Sequence, residues 1–231
     1  MKLSVIIPVY NENATIRKVL DTVNKVDIPK EIIIVDDGSD DGTRELIVGL
    51  SMDGTKKCFH SKNRGKGAAI RTGLEKVTGD IVIIQDADLE YDPREYHRLI
   101  RPILEGKAQV VYGSRLLGLP PWRKVRYHFY YPFAFGVKLL NLLTRLLYGT
   151  RITDEATCYK VFKTKVIRNI QLKCKRFEFC PEITAKLCKK GYRIHEVPIS
   201  YMGRTFQEGK KINWQDGIQA IYTLIKYRFM D

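Results

Sequence analysis

Asp86 and Asp88, two carboxylates one residue apart in Asp86-Ala87-Asp88, are the sharpest chemical feature of this sequence. Beyond a buried strand they repel each other unless a cation or solvent separates them. A hard divalent ion takes such oxygen ligands and keeps room for substrate phosphates. An isolated D-x-D is ordinarily a solvated turn. Here the apolar run Asp80 to Gln85 leads directly into it, which places the pair at the carboxyl edge of a sheet. Asp36-Asp37-Gly38-Ser39 is a second acidic turn after an apolar run. Either aspartate suits a base ring N–H or a ribose hydroxyl, although Gly38 and Ser39 would also satisfy a plain turn. Asn63-Arg64-Gly65-Lys66-Gly67 lacks the spacing and Lys-Ser/Thr of a Walker A motif, which excludes an ATPase. Its backbone amides and Lys66, at a helix start, still suit an anion.

These motifs need a scaffold, and the first half of the chain reads as one. Leu3 to Val9, Glu31 to Val35, Lys57 to His60, Asp80 to Gln85 and Gln109 to Tyr112 read as strands. Between them come helical periods through Ile16 to Val26 with Asn13 placed to cap, from Thr43, through Ile70 to Val77, and from Pro93 to Glu105. Strands alternating with helices predict an α/β fold: a Rossmann-like, mostly parallel sheet with helices on both faces. Ligands of such sheets bind at the carboxyl ends of the strands, where the acidic motifs fall. The second half predicts a strand over Thr157 to Phe162, a helix over Glu182 to Lys189, a strand over Arg193 to Pro198 and an amphipathic helix over Asn213 to Phe229. No Pro-, Gly- or Ser-rich linker divides the halves, so residues 1–231 are expected to form one domain. Residues 1–115 carry the acidic turns, and 116–231 form a C-terminal extension.

The net charge of +14 favours nucleic acid, anionic lipid or phosphate-rich substrates as partners. From Gly106 through Thr153 there is no Asp or Glu, while Arg115, Arg123, Lys124, Arg126, Lys138 and Arg145 all fall there. An aromatic cluster, Tyr127 to Phe135, and a leucine-rich helix in the same block suit an anionic membrane interface, or else complete the core. Lys138 and Arg145 argue against a membrane-spanning helix. Five cysteines without a C-x-x-C pair argue against a disulfide framework or zinc, and fit a reducing compartment. The short apolar run Met1 to Val9 is too brief for a signal peptide, so a cytoplasmic protein peripherally associated with the membrane is expected.

Val5-Ile-Ile-Pro-Val-Tyr-Asn-Glu12, Val35-Asp-Asp-Gly-Ser39, Asp86-Ala-Asp88-Leu and Gly113-Ser-Arg115 occur in that order, followed by Thr153 to Phe162, Glu196 to Ser200 and Gly203 to Lys211. The series resembles glycosyltransferase family 2, the inverting enzymes of GT-A fold, and within it the dolichol- or polyprenyl-phosphate mannosyltransferase group. The resemblance implies that Pro8, Tyr10 and Glu12 contact the nucleobase and that Asp36 or Asp37 contacts base or ribose. It implies Mg²⁺ or Mn²⁺ on Asp86 and Asp88 against the donor diphosphate, with Arg115, Arg204 and Lys211 on phosphates. Two positions depart from the pattern. Glu90 stands where related mannosyltransferases often carry Gln or a small polar residue, and the Gln-x-x-Arg-Trp signature of processive synthases is absent.

The resemblance thus implies an inverting transfer from a nucleotide sugar of GDP-mannose or UDP-glucose type to a polyprenyl or dolichyl phosphate. A lipid phosphate is already anionic and needs no strong base. A saccharide or lipid hydroxyl would need one, and Asp154 is the positional candidate, with Glu155 and Glu182 behind it. A nucleic-acid-binding role leaves both acidic turns unexplained, so nucleic acid is not expected as a partner. Donor base, sugar and oligomeric state are not fixed by the sequence.

Overall fold

A computed structural model describes residues 1–117, 131–204, 211 and 213–230, with the side chains of 131–134 left aside. The elements run β1 (Leu3–Val9), α1 (Ile16–Lys25), β2 (Lys30–Asp36), α2 (Thr43–Gly49), β3 (Thr55–Phe59), α3 (Lys66–Glu75), β4 (Ile81–Ile84), a 3-10 turn (Pro93–Glu95), α4 (Tyr96–Leu104) and β5 (Val110–Ser114). Then follow α5 (Tyr131–Tyr148), β6 (Lys160–Lys163), α6 (Thr164–Arg168), α7 (Phe179–Lys189), β7 (Ile194–Pro198) and α8 (Trp214–Phe229).

Seven strands form one sheet in the order β3-β2-β1-β4-β6-β5-β7. β1 pairs in parallel with β2 and β4, β2 with β3, and β5 with β7. Only β6 runs the other way, antiparallel to β4 and β5. Its reversal matters for the site: the chain entering β6 lies at the edge where β4 and β5 end. Side chains alternate across the pleat. Val5, Ile7, Ile32 and Ile34 pack on one face with α1 and α4. Ile6, Ile33, Val35, Val82 and Ile84 pack on the other with α3 and α7. The α/β expectation of a mostly parallel sheet covered on both faces therefore holds.

Several local expectations shift. Thr15, not Asn13, precedes α1; the Asn13 amide instead donates to the Asp41 carbonyl at 2.8 Å, joining two site loops. Asp92 caps the Pro93 turn through the Arg94 N–H, and the α-helix begins only at Tyr96. The helix through Ile70 ends at Glu75, short of Val77, and the strand expected from Thr157 begins at Lys160. Asn213 does cap α8, in a reciprocal capping box with Asp216. On α5, Leu140 and Thr144 are buried while Phe135, Leu142 and Leu146 are exposed, so the helix has both a core face and an outward apolar face. Arg123, Lys124, Arg126 and the aromatic residues 127–130 lie outside the described residues. Among the described residues no helix is long and apolar enough to cross a membrane.

Candidate active site

A cavity of about 1080 Å³ opens at the carboxyl edge of the sheet. The ends of β1, β4 and β5 supply Tyr10, Glu12, Asp86, Asp88 and Arg115 to it, as the parallel topology dictates. Asp154 and Cys158 reach it from the approach to β6, and Tyr201, Arg204 and Lys211 from beyond β7. Pro8, Asp37 and Lys66 also line it.

Asp86 and Asp88 stand on its floor. Lys66 Nζ, at the start of α3, lies 2.5 Å from Asp86 Oδ1, and Arg204 Nη2 lies 3.4 Å from Asp88 Oδ2. Burial, then the neighbouring Asp86 and Glu90 carboxylates, push the Asp88 carboxyl up to about 7. Carboxylates crowded in this way are relieved by positive charge. Both present hard oxygen donors to an open cavity, which fits a divalent cation. No group of three or more His, Cys, Asp or Glu side chains gathers into a protein-only metal cage among the described residues. Remaining ligands to an ion on this pair would therefore come from substrate and water. Behind the turn, Gln85 is buried and fully engaged. Its amide donates to the Asp86 carbonyl at 2.9 Å, and its oxygen accepts from the Tyr96 and Tyr159 hydroxyls at 2.7 Å each.

Glu12 is surrounded by cations. Its carboxylate accepts from Arg204 Nη2 at 2.9 Å, Arg204 Nη1 at 3.1 Å and Lys211 Nζ at 2.8 Å. Burial alone would raise its pKa, but hydrogen bonds from Arg204, Lys211 and Thr15 hold it below the ordinary value. Glu12, which lines the cavity, thus binds both cations with its carboxylate. Arg204 Nε is buried and has no partner among the described residues, which leaves one donor for an anion. Lys211 also donates to the Tyr10 and Asn11 carbonyls.

Of Asp36, which ends β2, and Asp37, which follows it, Asp37 lines the cavity and Asp36 does not. The expectation for Asp36 is corrected: it is fully buried, accepts from Arg44 Nε at 2.8 Å and from the Ser39 N–H at 3.2 Å, and lies outside the cavity. Asp37 accepts from the Arg64 and Gly65 N–H groups at 3.0 and 2.6 Å and pairs with His60 Nδ1 at 2.6 Å. It therefore shapes the loop that presents Lys66. Gly65 is required there, since its φ is +93° and a Cβ would strike the Lys175 carbonyl.

Asp154, the positional candidate for a base, lines the cavity as an ion-paired group. It is fully buried, and both of its oxygens bind the Arg115 guanidinium, at 2.7 Å each, with the Arg115 N–H at 2.9 Å. The carboxylate is thus committed to Arg115. It positions Arg115, which stacks over the Tyr201 ring at 5.0 Å. The two carboxylates ranked behind it fare no better. Glu182 accepts from the Lys173 and Cys174 N–H groups and from Lys186 Nζ, and Glu155 is fully buried outside the cavity lining. Burial pushes the Glu155 carboxyl up to about 7, against the pull of Lys160 and Thr184.

Some members of the site carried little signal in the sequence. Glu90 accepts from the Tyr201 hydroxyl at 2.8 Å and from the Arg204 N–H at 2.7 Å, tying the Asp88 turn to the segment after β7. The departure from the family pattern at Glu90 was the only hint of this. Cys158 accepts from Lys66 Nζ at 3.1 Å, and its N–H donates to the Tyr91 hydroxyl at 3.1 Å. Single tyrosines and a single cysteine have no spacing that would mark them.

Comparison with known proteins agrees with this geometry. Residues 4–171 match the model of glycosyl transferase family 2. The chain is 29% identical over 241 residues to a UDP-N-acetylglucosamine–dolichyl-phosphate N-acetylglucosaminyltransferase of Methanococcus voltae, covering 95% of this chain and 93% of that one. It is 31% identical over 234 residues to an undecaprenyl-phosphate 4-deoxy-4-formamido-L-arabinose transferase of Salmonella choleraesuis, covering 97% of this chain and 66% of that one. The fold matches glucosyl-3-phosphoglycerate synthase of Mycobacterium tuberculosis, solved with Mn²⁺ and uridine diphosphate, at a TM-score of 0.72 and 20% identity over 100% of this chain and 81% of that one. With its acidic turns at the sheet's carboxyl edge and the family model spanning most of its length, the chain belongs to glycosyl transferase family 2.

Proposed function

We propose that this glycosyltransferase moves a sugar, with inversion, from a nucleotide sugar to the phosphate of a polyprenyl or dolichyl phosphate. One observation carries the reading: the cavity's carboxylates are committed to other work. Glu12, Asp37, Glu90 and Asp154 each hold cations or N–H and O–H donors, and Asp86 and Asp88, paired with Lys66 and Arg204, are the two read as facing the diphosphate. Among the described residues an acceptor hydroxyl would find no carboxylate free to serve as its base, whereas a lipid phosphate arrives already ionised. The two relatives named above are transferases to dolichyl and undecaprenyl phosphate, which supports the same acceptor.

In this reading Asp86 and Asp88 hold Mg²⁺ or Mn²⁺, which when bound supplies Lewis-acid neutralisation of the donor diphosphate. Arg204, whose Nε has no partner among the described residues, and Lys211 and Lys66 add positive charge where the leaving diphosphate becomes more negative. Glu12 holds Arg204 and Lys211 in place. Pro8, Tyr10 and Asp37 form the nucleoside side of the cavity, and Arg115, fixed by Asp154, faces the acceptor phosphate. For the donor, a uridine sugar is favoured over GDP-mannose, because the methanococcal relative uses UDP-N-acetylglucosamine. The enzyme works peripherally at the membrane surface, where its acceptor resides.

Thermal-shift measurements with UDP, GDP and their sugars, with and without Mn²⁺, identify the donor, since stabilisation grows with ligand concentration over its dissociation constant. Transfer of radiolabelled sugar to a polyprenyl phosphate tests the acceptor. Absence of lipid-linked product from every common nucleotide sugar overturns the proposal.

A further inference from the structure

α8 is apolar on two opposite faces, and the fold uses only one of them. Ala220, Thr223, Leu224 and Tyr227 are buried against α5 and α7. Trp214, Ile218, Tyr222, Ile225 and Phe229 recur at helical spacing on the other side, all exposed, with Trp214 at 71% and Phe229 at 78%. A helix that served only the core would be polar there. Five large apolar side chains in one stripe form a contiguous patch, which soluble surfaces ordinarily avoid.

The surrounding charges indicate what covers it. The single carboxylate of α8, Asp216, is engaged at the N-cap, while Lys226 and Arg228 lie in the last turn. α5, which packs along α8, exposes Leu142 and Leu146 beside exposed Lys138 and Arg145, within the acid-free block from Gly106 to Thr153. The same helix reaches the active site, since Val137 and Lys138 line the cavity. An apolar stripe, cationic flanks and continuity with the cavity mouth suit a sheet of anionic headgroups over hydrocarbon.

We propose that the outward stripe of α8, with the basic edge of α5, docks the protein onto an anionic lipid surface and so sets the cavity beside that surface. The purpose assigned to this contact rests on the lipid-phosphate reading; the contact itself does not.

Co-sedimentation with vesicles tests it, using phosphatidylcholine alone and phosphatidylcholine mixed with phosphatidylglycerol. The wild type binds the mixed vesicles more tightly than the neutral ones. A Trp214→Ser/Ile218→Ser/Ile225→Ser variant loses roughly tenfold or more in affinity for both. Arg145→Glu loses affinity for the mixed vesicles alone. Turnover of the triple variant on a short, water-soluble prenyl phosphate stays at the wild-type level. In a Trp122→Phe background, Trp214 emission shifts to the blue when vesicles are added, a readout that needs no variant of the stripe. Equal binding by wild type and triple variant, or no blue shift, overturns the proposal. So does a dimeric wild type that the triple variant turns into a monomer without change in vesicle binding, which would assign the face to a second copy of the chain. Vesicle binding without sugar transfer to any prenyl phosphate defeats the acceptor reading and leaves the docking surface standing.

Discussion

Glu31 and Asp88 are both carboxylates taken largely out of water at the ends of one sheet, and their surroundings drive them in opposite directions. Glu31, at the amino edge, accepts from the Ser4 hydroxyl, the Thr78 N–H and the Thr78 hydroxyl at 2.6 Å each, and from Lys56 Nζ at 2.9 Å. Burial would raise its pKa, but those bonds hold it well below the ordinary carboxylate range. Asp88, at the carboxyl edge, is pushed up to about 7 by burial and by Asp86 and Glu90. The chain satisfies the first carboxylate from its own donors and leaves the second crowded. A carboxylate whose hydrogen bonds are all met within the fold fixes strands, whereas one left in excess negative charge is ready for a cation. The same burial thus gives a carboxylate saturated with donors at one edge and a crowded one, the proposed cation ligand, at the other.

The strongest way to break this contrast is Asp88→Asn. Sugar transfer is expected to fall roughly a thousandfold, in line with loss of a group that stabilises leaving-group charge. Stability in urea should hold or rise slightly, because a like-charge contact is relieved. A loss above about 1 kcal/mol would make Asp88 a structural group like Glu31. The reverse substitution, Glu31→Ala, strands several buried donors and is expected to cost about 3 kcal/mol in urea unfolding. Its transfer rate per folded molecule should stay at the wild-type level.

Glu155 lies between these cases, buried like Glu31 but without a well-formed hydrogen bond to either carboxyl oxygen among the described residues. Its folded pKa of about 7 lies above the unfolded value of about 4.3. Between those values the native state binds more protons than the unfolded chain, so stability falls as pH rises through that window and levels off above it. The expected decline is roughly 4 kcal/mol, and Glu155→Gln should flatten it in urea titrations at a series of pH values. An unchanged slope would show that Glu155 is not the titrating group.

The smallest effect concerns the acceptor side. Arg115→Lys keeps the charge but loses the paired bonds to Asp154. The KM for the lipid phosphate should rise roughly tenfold, while nucleotide binding in thermal shift stays unchanged. A matching loss of nucleotide affinity would place Arg115 on the donor instead.

The strands, most of the helices and the positions of the two acidic turns were legible in the residues alone. They depend on local rules: Ile- and Val-rich runs for buried strands, helical periodicity, and turn residues such as Gly38. Because parallel strands end at one edge, those local rules also suffice to put Asp86 and Asp88 there. Which charges meet is a matter of tertiary structure. Arg115 finds Asp154 39 positions away because β6 runs antiparallel and brings its entry to the end of β5. Glu12 meets Arg204 across 192 positions, through the segment beyond β7. With 40 Lys and Arg in the chain, the sequence offers every acid many partners. Strand order and direction select among them, and that selection pairs Asp154 with Arg115 and leaves Asp36, paired with Arg44, outside the cavity lining. Ion pairing between distant residues has no local signature, because its geometry exists only once the sheet has closed.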